Sequence, residues 1–303
     1  MTHPIPFTGS PLNRRSIERR DANWVRTQLE NPNSRFLPLW RLQLLVKNGE
    51  VRTPGWARRE LLAEIPSATE PVFLGTAEEI PHFAVDISGL SDPLETLELQ
   101  GVASFEDLRG VGASLSPEDA SICAQARSLV DWHDRNAYCS GCGELTRAAQ
   151  GGTLRYCGSC DREHFPRTDP VAISVVISGD DCLLGRSSSW PGNMYSALAG
   201  FVEPGESLEE AARREILEEV NIRVGRVRYL ESQPWPFPSS LMVGCIAEAE
   251  TREIRIDPHE LADARWFGRT TLRAALAGET SELTVPPPVA IAHRLIRAWV
   301  EER

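Results

Sequence analysis

The chain of 303 residues lacks the features that would place it in a membrane or outside the cell. No apolar run approaches the roughly 20 residues that a membrane-spanning helix needs. The first 24 residues are polar and rich in arginine, which predicts that no signal peptide opens the chain. The seven cysteines are an odd number and four of them cluster, which suits a reducing compartment better than a disulfide framework. We therefore expect a cytoplasmic protein.

An excess of positive charge is also missing. The formal net charge of −11 argues against a nucleic-acid footprint spread over the surface, although a local basic patch remains compatible with it. A composition with 41% hydrophobic and 25% charged residues is ordinary for a soluble globular protein, and the length allows two domains. We expect sizeable cores, and metal-complexed phosphates as the charged partners.

Residues 1–130 show no cluster of catalytic residue types, and we interpret them as an N-terminal α+β domain that is structural or dimerising. Their first 30 residues have few apolar positions and predict a loosely docked lead-in. A helix is expected to start at Ser116 and Pro117 and to run toward Trp132. The remaining expected elements are a strand over Phe36–Val46 that turns at Asn48-Gly49 into a strand over 51–53, a short helix or loop over 56–65, and strands over 72–74 and 83–87.

Two CxxC pairs follow, within a segment that we assign to residues 131–168. The pairs are Cys139 with Cys142 and Cys157 with Cys160, and 14 residues separate them. This spacing predicts a zinc ribbon in which four thiolates fill the coordination of one structural Zn²⁺; a redox role is the alternative for any CxxC motif. The three other cysteines, at apolar positions, are expected in cores: Cys123, Cys182 and Cys245.

Residues 169–303 alternate between strand and helix patterns. A β-branched run over Val171–Ile177 predicts a buried strand, and a closing helix is expected over Val289–Val300. Further strands are expected over 182–184, 224–230 and 241–248, and residues 195–199 lead into an acidic helix. The pattern predicts a mixed sheet between helices.

An acidic helix lies between these strands. Ser207 and Glu210 have the spacing of a capping box, and Glu215, Glu218 and Glu219 share one sector of the helix. Three like charges on one sector favour a cation nearby, and hard carboxylate oxygens suit Mg²⁺ or Mn²⁺. For an arbitrary helix of this kind, the alternative is a solvated acidic face braced by ion pairs of Arg214 with Glu210 and Glu218.

The flanking pattern decides between these interpretations. It resembles the Nudix box, Gly-x5-Glu-x7-Arg-Glu-U-x-Glu-Glu-x-Gly-U with U aliphatic. The matching residues are Gly200, Glu206, Arg214, Glu215, Ile216, Glu218, Glu219 and Ile222. Asn221 replaces the last glycine of the pattern, a mild change because asparagine also tolerates a positive φ.

A proline-rich segment, Ser232–Ser240, comes shortly after the box. Prolines at alternate positions predict a rigid extended loop, which by itself fits a linker or partner motif as well as a ligand loop. Its sequence, Ser-Gln-Pro-Trp-Pro-Phe-Pro-Ser-Ser, resembles the signature of the NADH pyrophosphatases, a Nudix subfamily that also carries a four-cysteine zinc ribbon. The resemblance implies a Nudix α/β/α sandwich over residues 169–303, preceded by the ribbon and the N-terminal domain.

The same resemblance implies hydrolysis of the pyrophosphate of NAD(H) to AMP and nicotinamide mononucleotide, and removal of NAD caps from RNA 5′ ends. A homodimer is also expected. Two alternatives remain open at this point. One is a Nudix hydrolase for ADP-ribose or dinucleoside polyphosphates; the other is a non-catalytic protein that senses nucleotides or binds nucleic acid through its ribbon.

The resemblance also implies residue roles. The Mg²⁺ or Mn²⁺ ligands would be the carbonyl of Ala199 and the carboxylates of Glu215, Glu218, Glu219 and Glu260. Glu219 is our first choice for the catalytic base and Glu218 the second, whereas Glu206 and Arg214 would hold loop and helix together. Phe165 and Phe201 would stack on a base, although the subfamily has tyrosine at the position of Phe165. The remaining substrate contacts would be Gln233, Pro234, Trp235, Pro236, Phe237, Pro238, Ser239, Ser240 and Ala292.

Overall fold

The computed structural model describes residues 4–60, 65, 69–190 and 192–302. The chain forms two compact units. The first comprises Met1–Arg167 with Pro236–Ser239, and the second comprises Thr168–Trp235 with Ser240–Arg303. The predicted short helix or loop over 56–65 falls in part on residues outside the described ranges.

The first unit contains a six-stranded mixed sheet in the order β3-β2-β1-β5-β4, with β6 paired to β2. Strands β1 and β5 are parallel, and the other pairs are antiparallel. The strands are β1 Arg35–Trp40, β2 Gln43–Lys47, β3 Thr53–Pro54, β4 Val72–Ala77, β5 Ile80–Asp86 and β6 Ala103–Glu106. The helices are Ala22–Glu30, Pro93–Thr96, Leu108–Val111 and the long linking helix Pro117–Arg135.

Two N-terminal predictions were wrong. The single strand expected over Phe36–Val46 is a hairpin, because Arg41 and Leu42 adopt positive φ angles of 52° and 64° and reverse the chain there. The first 30 residues are also more ordered than expected. Residues 22–30 form a helix with an Asp21 cap, and Phe7 is buried at 3% exposure. A few isolated apolar residues sufficed to dock this segment, and such single anchors leave no periodic signal in the sequence.

The ribbon is a three-stranded sheet in the first unit, with strands β7 Arg147–Ala149, β8 Leu154–Tyr156 and β9 Glu163–His164. Tyr138 and Leu145 pair in an additional bridge around the first CxxC motif. The linking helix begins as predicted, since the Ser116 hydroxyl accepts the amide of Asp119 and Pro117 opens the first turn.

The second unit has its own six-stranded mixed sheet in the order β13-β14-β10-β11-β15, with β12 paired to β10. Strands β10 and β14 are parallel. The strands are β10 Asp169–Ser178, β11 Asp181–Arg186, β12 Leu198–Phe201, β13 Val224–Trp235, β14 Ser240–Ala249 and β15 Asp263–Gly268. The helices are the box helix Leu208–Val220, Arg269–Ala277 and the closing helix Ile291–Glu301.

Neighbouring residues of β10 point into two different cores, which places helices on both faces of this sheet. Val175 packs with Leu295 and Trp299 of the closing helix, whereas Val176 packs with Ile216 of the box helix. The arrangement confirms the predicted α/β/α sandwich with a mixed sheet. None of the helices that the structure describes combines the length and the apolar character that a membrane span requires.

The sequence interpretation missed two elements of this unit and misjudged a third. Strand β15 and the helix after it were not predicted, because the alternation in Asp263–Gly268 is short and interrupted by charge. The segment expected to be loop from Ser232 is strand as far as Trp235, so only Pro236–Ser239 forms the turn between β13 and β14. Pro234 is tolerated in the strand because β13 lies at the edge of the sheet.

Candidate active site and zinc cluster

The box helix has the ends that its sequence predicts. The Ser207 hydroxyl accepts the amide of Glu210, and the Glu210 carboxylate accepts the amide of Ser207 in return. Asn221 ends the helix in the left-handed conformation, with φ of 59°. These caps satisfy amides and carbonyls that the helix termini would leave unpaired, and they fix the register of the carboxylates along the helix.

Arg214 holds the entry loop against the helix, as the sequence indicated. Its guanidinium donates to both carboxylate oxygens of Glu206, at 2.6 and 2.9 Å, and to the carbonyl of Phe201 at 3.0 Å. It also donates to Glu215 at 2.7 Å and to Glu218 at 3.1 Å. The hydrogen bonds from Arg214 and from the amide of Glu203 lower the pKa of Glu206 to about 2. This forked contact ties the end of strand β12 and the loop that carries Glu206 to the helix that carries the carboxylates.

Three of the four predicted carboxylate ligands lie together. Oxygen atoms of Glu215, Glu219 and Glu260 lie within 4.8 Å of one another. The turn with Glu260 is held at the end of the box helix, because the amide of Asp257 donates to the carbonyl of Glu219 at 2.9 Å. Glu218 lies outside this cluster, since its side chain is 59% exposed and paired with Arg214.

Glu219 is the buried member of the cluster, at 6% exposure. Burial, and after it the charges of Glu260 and Glu215, raise the pKa of Glu219 to about 8. Its Oε2 atom is buried and has no hydrogen-bond partner among the described residues. A buried carboxylate oxygen without a partner is costly in a native structure, so this atom points to a ligand that completes it.

The entry strand β12 leaves room for the cluster. A Cβ atom on Gly200 would lie 1.8 Å from the carboxyl carbon of Glu215, so only glycine allows that side chain against the strand. Ala199, whose carbonyl the sequence suggested as a further ligand, is the preceding residue and is exposed. Convergent carboxylates, a partnerless buried oxygen and a strand opened by glycine together fit a divalent cation bound by hard oxygen ligands.

The four predicted zinc ligands converge in the first unit. Their sulfur atoms all lie within 4.8 Å of one another, and the Cys139–Cys160 and Cys142–Cys157 sulfurs are 3.6 and 3.5 Å apart. A tetrahedral zinc site with Zn–S bonds of about 2.3 Å needs sulfurs about 3.8 Å apart. The amide of Gly141 donates to Cys139 Sγ and, as the main cause, lowers the pKa of that thiol to about 5. The cluster therefore fits one Zn²⁺ with all four positions taken by protein.

The two aromatic residues predicted to stack on a base belong to different units. Phe165 of the first unit is 65% exposed, and Phe201 of the second is 59% exposed. At these exposures neither ring is packed in a core, so both aromatic faces are accessible to a ligand. Ala292 lies in the first turn of the closing helix and is buried in the core, at 3% exposure.

The predicted substrate loop is divided between the two units. Gln233 is fully buried, and its amide donates to the carbonyl of Val289 and accepts from the amide of Ile291, both at 2.8 Å. Its side chain therefore fixes the start of the closing helix. Phe237 lies in the first unit, beside residues that the sequence interpretation did not single out, namely Phe7, Arg109 and Arg127. No local pattern marks these three, because their proximity arises only from folding.

Comparison with known families and proteins agrees with this geometry. Three family models match in succession: an NADH pyrophosphatase-like rudimentary NUDIX domain over residues 33–132, an NADH pyrophosphatase zinc ribbon domain over 134–165 and a NUDIX domain over 168–284.

Curated relatives match over most of their length. The NAD-capped RNA hydrolase NUDT12 of Homo sapiens is 45% identical over 97% of this chain and 73% of its own length. The NAD-capped RNA hydrolase NudC of Mycobacterium bovis is 37% identical over 94% of this chain and 90% of its own. The mitochondrial NAD(P)H pyrophosphatase NUDT13 of Homo sapiens is 41% identical over 77% of this chain and 72% of its own. The resemblance inferred from the sequence is thus confirmed, and the chain belongs to the NADH pyrophosphatase group of Nudix proteins.

Proposed function

We propose that this protein hydrolyses the pyrophosphate of NAD(H) to AMP and nicotinamide mononucleotide, with Mg²⁺ or Mn²⁺ bound at Glu215, Glu219 and Glu260. The observation that carries the proposal is the convergence of these three carboxylates, of which Glu219 has a buried oxygen without a hydrogen-bond partner among the described residues. The names of the relatives, which are NAD-capped RNA hydrolases and an NAD(P)H pyrophosphatase, support the choice of substrate.

A bound divalent cation would neutralise the charge of the pyrophosphate and lower the pKa of the attacking water. The protein contributes position and proton transfer. Glu215 is fixed by Arg214 and by the space at Gly200, so its carboxylate is held ready to ligate. Glu219 is the proposed base, and its carboxylate would take the proton from the water as well as hold the cation. Ala199 would add its carbonyl from the edge of the strand.

Glu218 is the second candidate for the base. The Glu218 carboxylate is exposed to solvent and paired with Arg214, whereas the Glu219 carboxylate is buried. Activity lost in Glu218→Gln and kept in Glu219→Gln would reverse the assignment.

Discrimination among nucleotides has to come from the groups attached to the phosphates. We propose that Phe201, whose backbone Arg214 fixes, and Phe165 each offer an aromatic face to a base of the substrate. Stacking on an aromatic side chain contributes about 1–3 kcal/mol per base. Phe201→Ala and Phe165→Ala are expected to raise the KM for NADH about 5- to 150-fold, with smaller effects on a substrate that lacks the stacked base. Unchanged KM and kcat/KM in both variants would contradict this role.

Removal of NAD caps from RNA is a second proposed activity, supported by the names of the NUDT12 and NudC relatives. The proposal also includes a homodimer in the cytoplasm. Four thiols arranged for a metal suit a reducing compartment. Sedimentation of the zinc-loaded protein would test the dimer.

One hydrolysis panel tests the proposed function. NADH, NAD⁺, NAD-capped RNA, ADP-ribose and a dinucleoside tetraphosphate would each be incubated with Mg²⁺ or Mn²⁺, and the products would be separated. We expect AMP and the nicotinamide mononucleotide from NADH, with the highest kcat/KM on NAD-containing substrates. A preference for ADP-ribose or the dinucleoside tetraphosphate, or no hydrolysis with either metal, would overturn the proposal.

A further inference from the structure

The tip of the proline-rich loop is held by side chains of the first unit. Residues Pro236–Ser239 belong to that unit, although the strands on both sides of them belong to the second. The ring of Phe237 has the guanidinium carbons of Arg109 and Arg127 at 4.5 and 4.8 Å from its centre. The ring of Phe7 meets it edge-on, with the two centres 6.2 Å apart. Two cations and one aromatic edge therefore surround Phe237.

Arg127 makes two contacts with this loop, one with the ring of Phe237 and one with the carbonyl of Pro236, whereas the contact described for Arg109 is with the ring. The Nη1 of Arg127 donates to the carbonyl of Pro236, next to the ring that its guanidinium faces. Its buried Nε has no hydrogen-bond partner, and Arg127 forms no ion pair within the described part of the chain. The nearby carboxylate of Asp131 instead accepts from Arg135 at 3.0 Å. Asp107 and Asp131 act on this partly buried guanidinium through their charge, whereas its direct contacts are the ring and the carbonyl of the loop.

The elements that carry this contact are themselves well fixed. Arg127 lies in the middle of the linking helix Pro117–Arg135, and Arg109 lies in the short helix that Asp107 caps. Phe7 packs over Gly112, where a Cβ atom would approach a ring carbon of Phe7 to 2.8 Å. The surroundings of Phe237 are therefore built from capped helices and a packed ring.

We propose that Arg127 is a positioning residue for the hydrolysis of NAD(H): by holding Phe237 and Pro236 it orders the loop, and it thereby sets the affinity for the dinucleotide. This inference rests on the proposed function, in which residues of this loop contact the substrate. A loop that is ordered in advance loses less conformational freedom when the substrate binds. Loss of the Arg127 contact should therefore weaken substrate binding and raise KM. The carboxylate cluster is left untouched, so kcat should change little.

Steady-state kinetics with NADH at saturating metal would test the inference. Arg127→Met, which keeps the aliphatic volume, is expected to raise KM about fivefold to thirtyfold with kcat within about twofold of wild type. Arg127→Lys keeps a cation near the ring and a donor for the carbonyl, so its KM should lie within about threefold of wild type. Arg135→Met is the matched control from the same helix, since the exposed Arg135 side chain has Asp131 as its ion-pair partner among the described residues; it should leave KM unchanged.

A second measurement follows the loop directly and needs no activity. Hydrogen exchange of peptides covering residues 230–242 should become faster in Arg127→Met and stay at the wild-type rate in Arg135→Met. A wild-type KM together with a wild-type exchange rate in Arg127→Met would overturn the inference, as would a fall in kcat that matches the rise in KM. If wild-type protein fails to hydrolyse NADH, the proposed function falls, and the exchange experiment alone decides whether Arg127 orders the loop.

Discussion

Five strands of each six-stranded sheet follow one plan, while the sixth pairs differently, β3 with β2 and β12 with β10. Among the residues that the structure describes, the carboxylate cluster lies beside the second sheet. In the first unit the path β4-β5-β1-β2-β6 has one parallel pair, β5 with β1, among antiparallel pairs. In the second, β13-β14-β10-β11-β15 has its parallel pair at the same place, β14 with β10. The matching family models name the first region a rudimentary NUDIX domain.

The sequence keeps a trace of the same relationship. Arg58–Ile65 reads Arg-Arg-Glu-Leu-Leu-Ala-Glu-Ile, and Arg213–Val220 of the box helix reads Arg-Arg-Glu-Ile-Leu-Glu-Glu-Val, with five of eight positions identical. Yet only Arg58 separates Ala57, which bridges to Phe36 of β1, from Arg59, whereas twelve residues separate β12, which pairs with β10, from Arg214. The first unit thus lacks the long entry loop that carries Glu206.

The difference shows that the strand plan and the chemistry depend on different residues. Strand order follows from apolar residues in the sheet, which both units retain. The carboxylate cluster depends on an entry loop with a forked arginine contact, a glycine beside Glu215 and a distant turn that supplies Glu260. We expect experiments to separate the two regions in the same way, with stability effects dominating in the first and catalytic effects in the second.

The largest effect should come from removing the zinc ligands of the first unit. Cys139→Ser combined with Cys157→Ser is expected to abolish stoichiometric zinc and to unfold the ribbon, because binding a structural zinc contributes on the order of 10 kcal/mol to folding. Metal analysis of reduced protein and thermal unfolding would measure this. Stoichiometric zinc in the double variant, or none in the wild type, would contradict a structural zinc.

The next effect is catalytic and belongs to the second unit. Glu219→Gln is expected to lower kcat about 10²- to 10⁴-fold with the fold intact, since a buried ligand and proposed base is lost. Circular dichroism and NADH kinetics at saturating Mn²⁺ would measure it. Glu60→Gln, in the related stretch of the first unit, is the control and should keep wild-type kcat. Wild-type turnover in Glu219→Gln would exclude the residue from the mechanism.

The pH dependence of stability offers a third test, located in the first unit. Burial, and the nearby Arg155 guanidinium, lower the pKa of His133 from 6.5 to about 4, although its Nε2 lies 2.7 Å from the carbonyl of Gly152. The unfolded chain therefore binds a proton first as the pH falls. The contribution of the neutral His133 to the free energy of unfolding is therefore fully present above pH 6.5. As the pH falls toward 4, about 3 kcal/mol of it is lost.

Urea unfolding of wild type and His133→Gln at several pH values would isolate this contribution, because both chains carry the same zinc ligands. The difference in unfolding free energy between the two should shrink as the pH falls from 7 to 4. A constant difference would show that His133 does not titrate in this range.

The smallest effect, on stability, tests whether Gln233 fixes the start of the closing helix or contacts the substrate. Gln233→Leu leaves the carbonyl of Val289 and the amide of Ile291 without their partner, so we expect a loss of about 2 kcal/mol in unfolding free energy. Gln43→Leu in the first sheet is the control, since the Gln43 side chain forms no hydrogen bond among the described residues. Unchanged stability with a raised KM would instead restore Gln233 as a substrate contact.

Predictability from sequence followed the range of the interactions. The capping box, the left-handed Asn221 and the four cysteines each lie within a short stretch, and the structure has them where the sequence placed them. The hairpin at Arg41-Leu42 was missed because neither residue is a typical turn former, and positive φ angles there are imposed by strand pairing. Glu218 matched the box as well as Glu219 did, and only the fold showed which of them is buried.

The sequence by itself determined the family, the zinc ligands and the helix that carries the carboxylates, because box, ribbon and proline-rich loop are local patterns with fixed spacing. The tertiary structure alone decided that Glu218 stays outside the cluster of Glu215, Glu219 and Glu260, that Gln233 holds the closing helix, and that Arg127 faces Phe237 across more than a hundred residues of chain. Such contacts depend on how strands pair and helices pack. Strand pairing and helix packing are set by the summed burial of many apolar residues. The sequence around the residues that come into contact therefore carries no local pattern that predicts the contact.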